Sequence, residues 1–357
     1  MRVSKVYTYP VKGMRAAELD NAVLTKHGLP YDRRYMMLKV RGDGSYENMA
    51  VASFPELTLY FPTIRVPEDG DARKGTLTIT YKPPNGEQQT INLPLIPSTD
   101  GLEKTEVTMH GSPTQAYRMN QEYNDWLSTC LGFDAVFVHL GNNLRNVLMS
   151  VNGNAEPKAN SWISSLTSKA SELVTGASND DQKQITFADC APYLIASEKS
   201  MEDIHHRLPE GQQMDISKFR PNIIVSGAEE PWEEDLWAEL TISRDTRISC
   251  AHNCGRCRSI NIDYATGAPG TGEQGKMLKA LSSNRRVDKG VKWSPIFGRY
   301  SFLPPSSEGH TIKVGDDVVV SKRNAESTQF GEVAPSAYGP DSLAYMIITD
   351  WPGLCTK

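Results

Sequence analysis

Short apolar runs broken by turn-forming residues dominate the first hundred positions. Val3 to Tyr9 alternates apolar and polar side chains, and Tyr35 to Val40 (YMMLKV) is apolar apart from Lys39. Leu57 to Val66, Leu77 to Tyr81 and Ile91 to Leu93 follow at short intervals. Between them lie Arg41-Gly42-Asp43-Gly44, Glu68-Asp69-Gly70-Asp71 and Pro83-Pro84-Asn85-Gly86. Strand-length runs punctuated by Gly, Pro, Asn and Asp predict many short strands, as in a barrel or sandwich.

The period changes at 121–131, where Tyr123, Trp126, Leu127, Cys130 and Leu131 share one helical face. A second helical period covers 160–174 (NSWISSLTSKASELV), with Trp162, Ile163, Leu166, Ala170 and Leu173 in register. Its flanks are rich in Asn, Ser, Gly and Asp, so 142–184 reads as a mobile connector carrying one amphipathic helix. Ser197 to Leu208 predicts a helix with Met201, Ile204 and Leu208 inward. Asn222–Ser226, Leu240–Ile248, Arg258–Ile262 and Ile312–Val320 predict strands. The last, with Gly315-Asp316 at its centre, reads as a hairpin closing a small barrel. No internal repeat is visible, and 323–357 reads as a surface tail.

A chain of 357 residues has room for two domains. The division expected is 1–120, a helical connector over 121–184, a second domain over 185–322 and an extension over 323–357. Lys and Arg total 38 against 43 Asp and Glu, a net charge of −5 that exerts no strong pull on nucleic acid or an anionic membrane. No apolar run approaches the roughly 18 residues of a membrane span. MRVSKVYTYP enters a strand at once, leaving no room for a targeting segment. Six cysteines suit a reducing compartment better than a disulfide framework. A soluble intracellular protein is expected, cytoplasmic rather than mitochondrial.

Half of those cysteines fall in CAHNCGRC (250–257), a loop-like segment that also holds His252. Buried apolar thiols are one reading. A structural zinc site commonly needs two separated Cys pairs. Here Cys254 and Cys257 form one Cys-x-x-Cys pair, whereas Cys130, Cys190 and Cys355 are scattered singles. The third reading is a single thiolate on a softer metal or cofactor. Cations recur at the ends of apparent strands: Lys12, Arg33, Arg34, Arg220 and Arg256. Each alone is a solvated surface charge. Together they would make an anion pocket, because guanidinium pairs phosphate oxygens in bidentate fashion. Gly13 would let the backbone approach such an anion.

YPVKG (9–13), YDRRYMML (31–38), ADCAPYLIASE (188–198), FRPNIIVSG (219–227), CGRC with the following D-x-x-TG (254–267), SPIFGRY (294–300) and IKVGDDV (312–318) run in a familiar order. The chain resembles proteins with a MOSC domain preceded by its N-terminal β-barrel partner, in the branch of the mitochondrial amidoxime-reducing component. The resemblance implies a mainly β (α+β) fold of two packed barrels with a few helices. It also implies a molybdenum–molybdopterin cofactor whose metal takes one cysteine thiolate, here Cys257, with Cys254 a neighbour. Lys12, Gly13, Arg33, Arg220 and Asn222 fall at its cofactor contacts, joined by Cys190, Gly255 and Arg256. Asp189 matches an acidic position beside the metal, able to accept a hydrogen bond or relay a proton. Two departures remove hydroxyls: Cys190-Ala191 replaces a common Thr-Ser, and Gly13 replaces a common Ser.

The implied reaction removes oxygen from N-hydroxylated compounds such as amidoximes and hydroxylamines. Electrons would come from a separate haem or iron–sulfur carrier with an NAD(P)H reductase. After residue 257 only Cys355 remains, so no plant-type ferredoxin cluster is encoded. No haem or pyridoxal phosphate is expected in this chain. The alternative is a cofactor or sulfur carrier of the molybdenum cofactor sulfurase type, without reductase activity and with a persulfide on Cys257.

Overall fold

The computed structural model describes residues 1–147 and 183–330. The expected helix at 160–174 and most of the connector therefore lie outside the described residues. An eight-stranded sheet runs in the order Ala17–Leu19, Arg2–Thr8, Ile223–Ser226, Tyr193–Ser197, Ile296–Phe302, Thr246–Gly255, Trp237–Ile242 and Val318–Arg323. Backbone bonds from Val3 N to Asp316 O (2.9 Å) and from Gly315 N to Val3 O (2.8 Å) draw the two ends of the sheet together. The sheet thus becomes a nearly closed barrel, with Val3, Ile195, Ile223, Trp237 and Leu240 in its core.

The chain's first strand is part of this C-terminal barrel. Arg2–Thr8 pairs with Ile223–Ser226, so residues 9–14 leave one barrel and enter the other. The second unit has a five-stranded sheet, ordered Tyr46–Asn48, Tyr35–Val40, Ala135–His139, Ser112–Arg118 and Lys104–Met109. A three-stranded sheet of Tyr60–Arg65, Thr76–Tyr81 and Gln89–Pro94 accompanies it. The helix Gln121–Leu131 covers this core with the expected face: Leu127 is buried, and Tyr123, Trp126, Cys130 and Leu131 pack against it. Gly132, at φ 76°, ends the helix in the left-handed conformation that glycine adopts without strain.

Tyr193–Ser197 and Ile223–Ser226 pair in parallel, which requires a crossover, and the helix Glu198–His206 lies in that connection. Met201, Ile204 and Leu208 are all buried, the inward face the sequence predicted. Parallel pairing also sets the entry points of both strands side by side. Asn222 N donates to Leu194 O (2.7 Å), and Leu194 N to Asn222 Oδ1 (3.2 Å).

Several expectations need correcting. Cys250 to Gly255 is not a loop but the second half of a ten-residue strand. Arg258–Asn261 is a 3-10 turn rather than a strand, held in part by Asn261 Oδ1 accepting from Leu278 N at 2.9 Å. Leu240–Ile248 splits at Ser243, whose φ is 56°, into two antiparallel strands. Ile312–Val320 is no hairpin. Thr311–Lys313 pairs with Asn21–Val23, and Val318–Arg323 with Trp237–Ile242, because each finds an open sheet edge elsewhere. The stretch after 323 does not simply cover the surface: Thr328 is buried and accepts from Arg299 at 2.7 Å.

Candidate functional site

Loops 9–14, 186–192, 219–222 and 254–259 converge on one cleft of about 1720 Å³. Lys12, Gly13, Arg33, Asp189, Cys190, Arg220, Asn222, Gly255, Arg256 and Cys257 all line it, together with Cys254. The parallel strand pair explains the meeting of 186–192 with 219–222, since both loops feed the same edge.

Arg33 and Arg220 stand together in the cleft. Their guanidinium carbons lie 4.7 and 4.4 Å from the ring centre of Tyr9, within cation–π range. Asp32, buried beside them, accepts from Tyr9 N (2.8 Å), Asn222 Nδ2 (3.2 Å) and Arg33 (2.5 Å). Burial alone would lower the Arg33 pKa; the Asp32 charge reverses this and raises it. Arg220 donates one nitrogen to Met14 O at 2.9 Å, while its other terminal nitrogen is buried without a hydrogen-bond partner among the described residues. Both arginines also hold left-handed backbones, φ 50° and 56°, a conformation that costs a non-glycine residue on the order of 1–3 kcal/mol. Asn222 serves inward, donating to Tyr7 O and Asp32.

Asp189 lies between Lys12, which forms an ion pair with it, and His110 Nε2 at 3.3 Å. Burial pushes the carboxyl upward, but Lys12 and His110 outweigh it and hold it well below the usual carboxylate range. At Lys12 burial wins over the same pairing and the pKa falls. We favour the ionised pair, because the Asp189 side chain is 48% exposed to the cleft. Beneath the loop, Arg145 donates to the carbonyls of Thr186 (3.1 Å), Ala188 and Asp189. Lys218, buried over the Tyr264 ring at 5.3 Å, adds a further cation to the wall.

His110, Arg145, Lys218 and Tyr300 escaped sequence reasoning. His110 sits at the tip of the hairpin of the N-terminal unit joining Lys104–Met109 to Ser112–Arg118, and its His-Gly pair, both at positive φ, was the available turn signal.

A bulge between Cys250 and His252 breaks the strand's alternation. Cys250 consequently packs in the barrel core while Cys254 and Cys257 line the cleft. Burial raises the thiol pKa of Cys250 and Cys254 and pushes that of Cys190 up to about 12. Tyr300 lines the same cleft beside Cys190 and Cys254. Cys257 is only partly buried and caps the 258–261 turn, with Sγ 3.1 Å from Ser259 Oγ. Arg256 differs from the other cations. Its guanidinium donates to Phe297 O (2.9 Å) and Phe219 O (2.8 Å), so its side chain braces the wall. Among the described residues no group of three His, Cys, Asp or Glu is placed to hold a metal, and Cys250 packs in the core away from Cys257.

The loops that build this cleft come from two domains, and each domain matches a family model. The MOSC domain family model matches residues 182–319, and that of the MOSC N-terminal beta barrel domain matches residues 1–134. The chain belongs to this family. It is 28% identical to mitochondrial amidoxime-reducing component 1 of Homo sapiens over 88% of this chain and 82% of that protein. The Mus musculus protein of the same name is 27% identical over 88% of this chain and 81% of that protein. Molybdenum cofactor sulfurase of Solanum lycopersicum is 25% identical over 89% of this chain, which spans only 35% of that protein. No helix among the described residues is long and apolar enough to cross a membrane.

Proposed function

We propose that the chain is a molybdenum-cofactor-dependent reductase of N-hydroxylated compounds, amidoximes and hydroxylamines among them. The observation that carries this reading is Cys257: a partly buried thiol just past a strand end, in a cleft that Arg33, Lys218 and Arg220 also line. The residues fit an anionic pterin carrying a soft metal. Arg220 keeps a buried donor without a protein acceptor, where a phosphate oxygen would complete it. Gly13, at φ 92° and with Leu57 Cδ1 2.7 Å from where a Cβ would stand, keeps the backbone beside Lys12 bare. A thiolate is the ligand a soft metal prefers.

When bound, the cofactor would supply two-electron redox chemistry for oxygen-atom removal. The protein's residues do the rest. Cys257 would ligate the metal, and Arg33, Arg220 and Lys218 would hold the phosphate end, with Asn222 fixing the loop between the two arginines. Arg256 holds the 254–257 strand end against Phe219 and Phe297. Asp189, kept ionised by Lys12 and His110, would accept a hydrogen bond from the substrate N–OH or the departing water and pass protons inward. Overall, substrate, two electrons and two protons yield the reduced nitrogen base and water. An outside carrier supplies the electrons.

Reduction of an amidoxime by protein carrying near-stoichiometric molybdenum and pterin, driven by a reduced viologen dye, tests the reading. The similarity to a sulfurase over most of this chain favours one second reading, a carrier that holds sulfur as a persulfide on Cys257. Persulfide on Cys257 without turnover would select it.

A further inference from the structure

The segment 285–294 is a short strap with a pinned backbone. Arg285 is buried against Asp235 at 2.6 Å, and Asp288, also buried, accepts from Gly290 N (2.8 Å), Phe330 N (3.0 Å) and Asn253 Nδ2 (3.3 Å). Ser294 N closes the turn on Val291 O at 2.8 Å. Between these anchors Arg286, Lys289, Lys292 and Trp293 are exposed, and all four line the cleft that holds Cys257. The strap packs on the segment that leads to this thiol: a Cβ on Gly255 would stand 3.2 Å from Ser294 Cβ and 3.6 Å from Val291 Cγ2.

Among the described residues none of the strap's three cations forms an ion pair. Of the carboxylates that line the cleft, Asp189 pairs with Lys12 and Glu47 with Arg41 at 3.4 Å, which leaves Glu106 alone against three positive charges. These cations also differ in kind from Arg33 and Arg220. Asp32 pins Arg33 and Met14 O pins Arg220, the pre-organised donors that suit a resident group. Arg286, Lys289 and Lys292 are exposed and unpinned, which suits a ligand that arrives and leaves. Trp293 is 60% exposed within the cleft, with Lys292 Nζ 5.1 Å from its ring centre, so it offers a flat apolar face edged by positive charge. We propose that the strap is the substrate subsite of this cleft, selecting aromatic N-hydroxylated compounds that carry a carboxylate. The substrate ring lies on Trp293 and its carboxylate meets Arg286, Lys289 and Lys292, beside the segment that carries Cys257. The proposal rests on the reductase reading for what is reduced, but not for what is bound.

Two measurements on the full, cofactor-loaded chain test it, with benzamidoxime bearing a para carboxylate and with the methyl ester of the same compound. Without a reductant neither is consumed, so binding is read first, by calorimetry at low and high salt. The acid should bind at least about tenfold more tightly than the ester at low ionic strength, and salt should erase most of that difference. The triple variant Arg286→Gln, Lys289→Gln, Lys292→Gln should lose the preference, and Trp293→Ala should bind both compounds about fivefold more weakly or worse. The second measurement is turnover driven by a reduced viologen dye, in which the ratio of kcat/KM for acid over ester should follow the binding ratio. Acid and ester bound alike by wild type overturn the proposal, whether or not the variants fold. A preference that survives the triple substitution overturns it as well. Acid bound preferentially through the strap but not reduced even with the dye fails the reductase reading instead, and the subsite stands.

Discussion

Lys12 and Asp189 are 177 residues apart in sequence and form an ion pair inside the cleft. Lys12 leaves the first strand just before the N-terminal unit begins, and Asp189 enters the barrel after that unit ends. Their pairing, with His110 on the other side of the carboxylate, ties both units to one reactive point.

Because Asp189 is half exposed, Asp189→Asn should cost stability only on the order of 1 kcal/mol or less at neutral pH. Amidoxime reduction should nonetheless fall by about 100-fold or more, the scale of a lost acid–base or positioning group. Denaturant melts beside dye-driven turnover check both. A depressed carboxyl pKa adds stability that is present above the ordinary carboxylate range and lost as pH drops through the lower folded value. Wild type should therefore lose more stability than Asp189→Asn on acidification below about pH 4.

Cys257→Ala should abolish turnover while leaving a folded protein that retains pterin. A thiol that is partly exposed at a turn contributes little packing, so Tm should move by no more than a few degrees. Cys254→Ala, by contrast, removes a buried thiol and its packing and should lower stability while turnover persists. The reverse pattern would reassign the ligand to Cys254.

Gly13→Ala places a side chain at φ 92° facing Leu57 and should destabilise by about 1 kcal/mol or more. Pterin content of the purified variant should drop as well, since the shift moves Lys12. Retention of full pterin would separate this turn from cofactor binding.

Glu234 lies wholly buried, its Oε2 accepting from Ser200 Oγ at 2.6 Å, and burial pushes its pKa up to about 7. A raised acid contributes stability that is intact below its unfolded value and lost as pH rises through the folded one. Native stability should accordingly decline between about pH 4.5 and 7, and Glu234→Gln should flatten that decline by about 2 kcal/mol. Denaturant unfolding at pH 5 and pH 8 gives the comparison.

The sequence disclosed local structure where periodicity was strong, as in the helix at 121–131 and the inward face of Met201 and Ile204. Motif order also singled out Lys12, Asp189, Arg220 and Cys257, four residues that the fold brings to one cleft. Sheet membership was hidden, because Val3 to Tyr9 pairs with a strand more than 200 positions away and no local period records that. Bulges were equally hidden: alternation alone puts Cys250, His252 and Cys254 on one face, and the shift at Cys250 cancels it. His110 and Arg145 were out of reach for a third reason. Each acts on the 186–192 loop from a distant hairpin or strand, and an isolated His or Arg gives no local signal of that.

Arg2–Thr8 and Ala17–Leu19 complete a sheet whose remaining strands all follow residue 192. Topologically, then, the N-terminal unit is inserted into the MOSC barrel rather than placed before it. The barrel can close only after both Arg2–Thr8 and Val318–Arg323 have been synthesised, a high-contact-order and therefore slow step. A fragment starting near 182 would leave Ile223–Ser226 as a bare apolar edge, and it should aggregate even though the motif carrying its thiol ligand is intact.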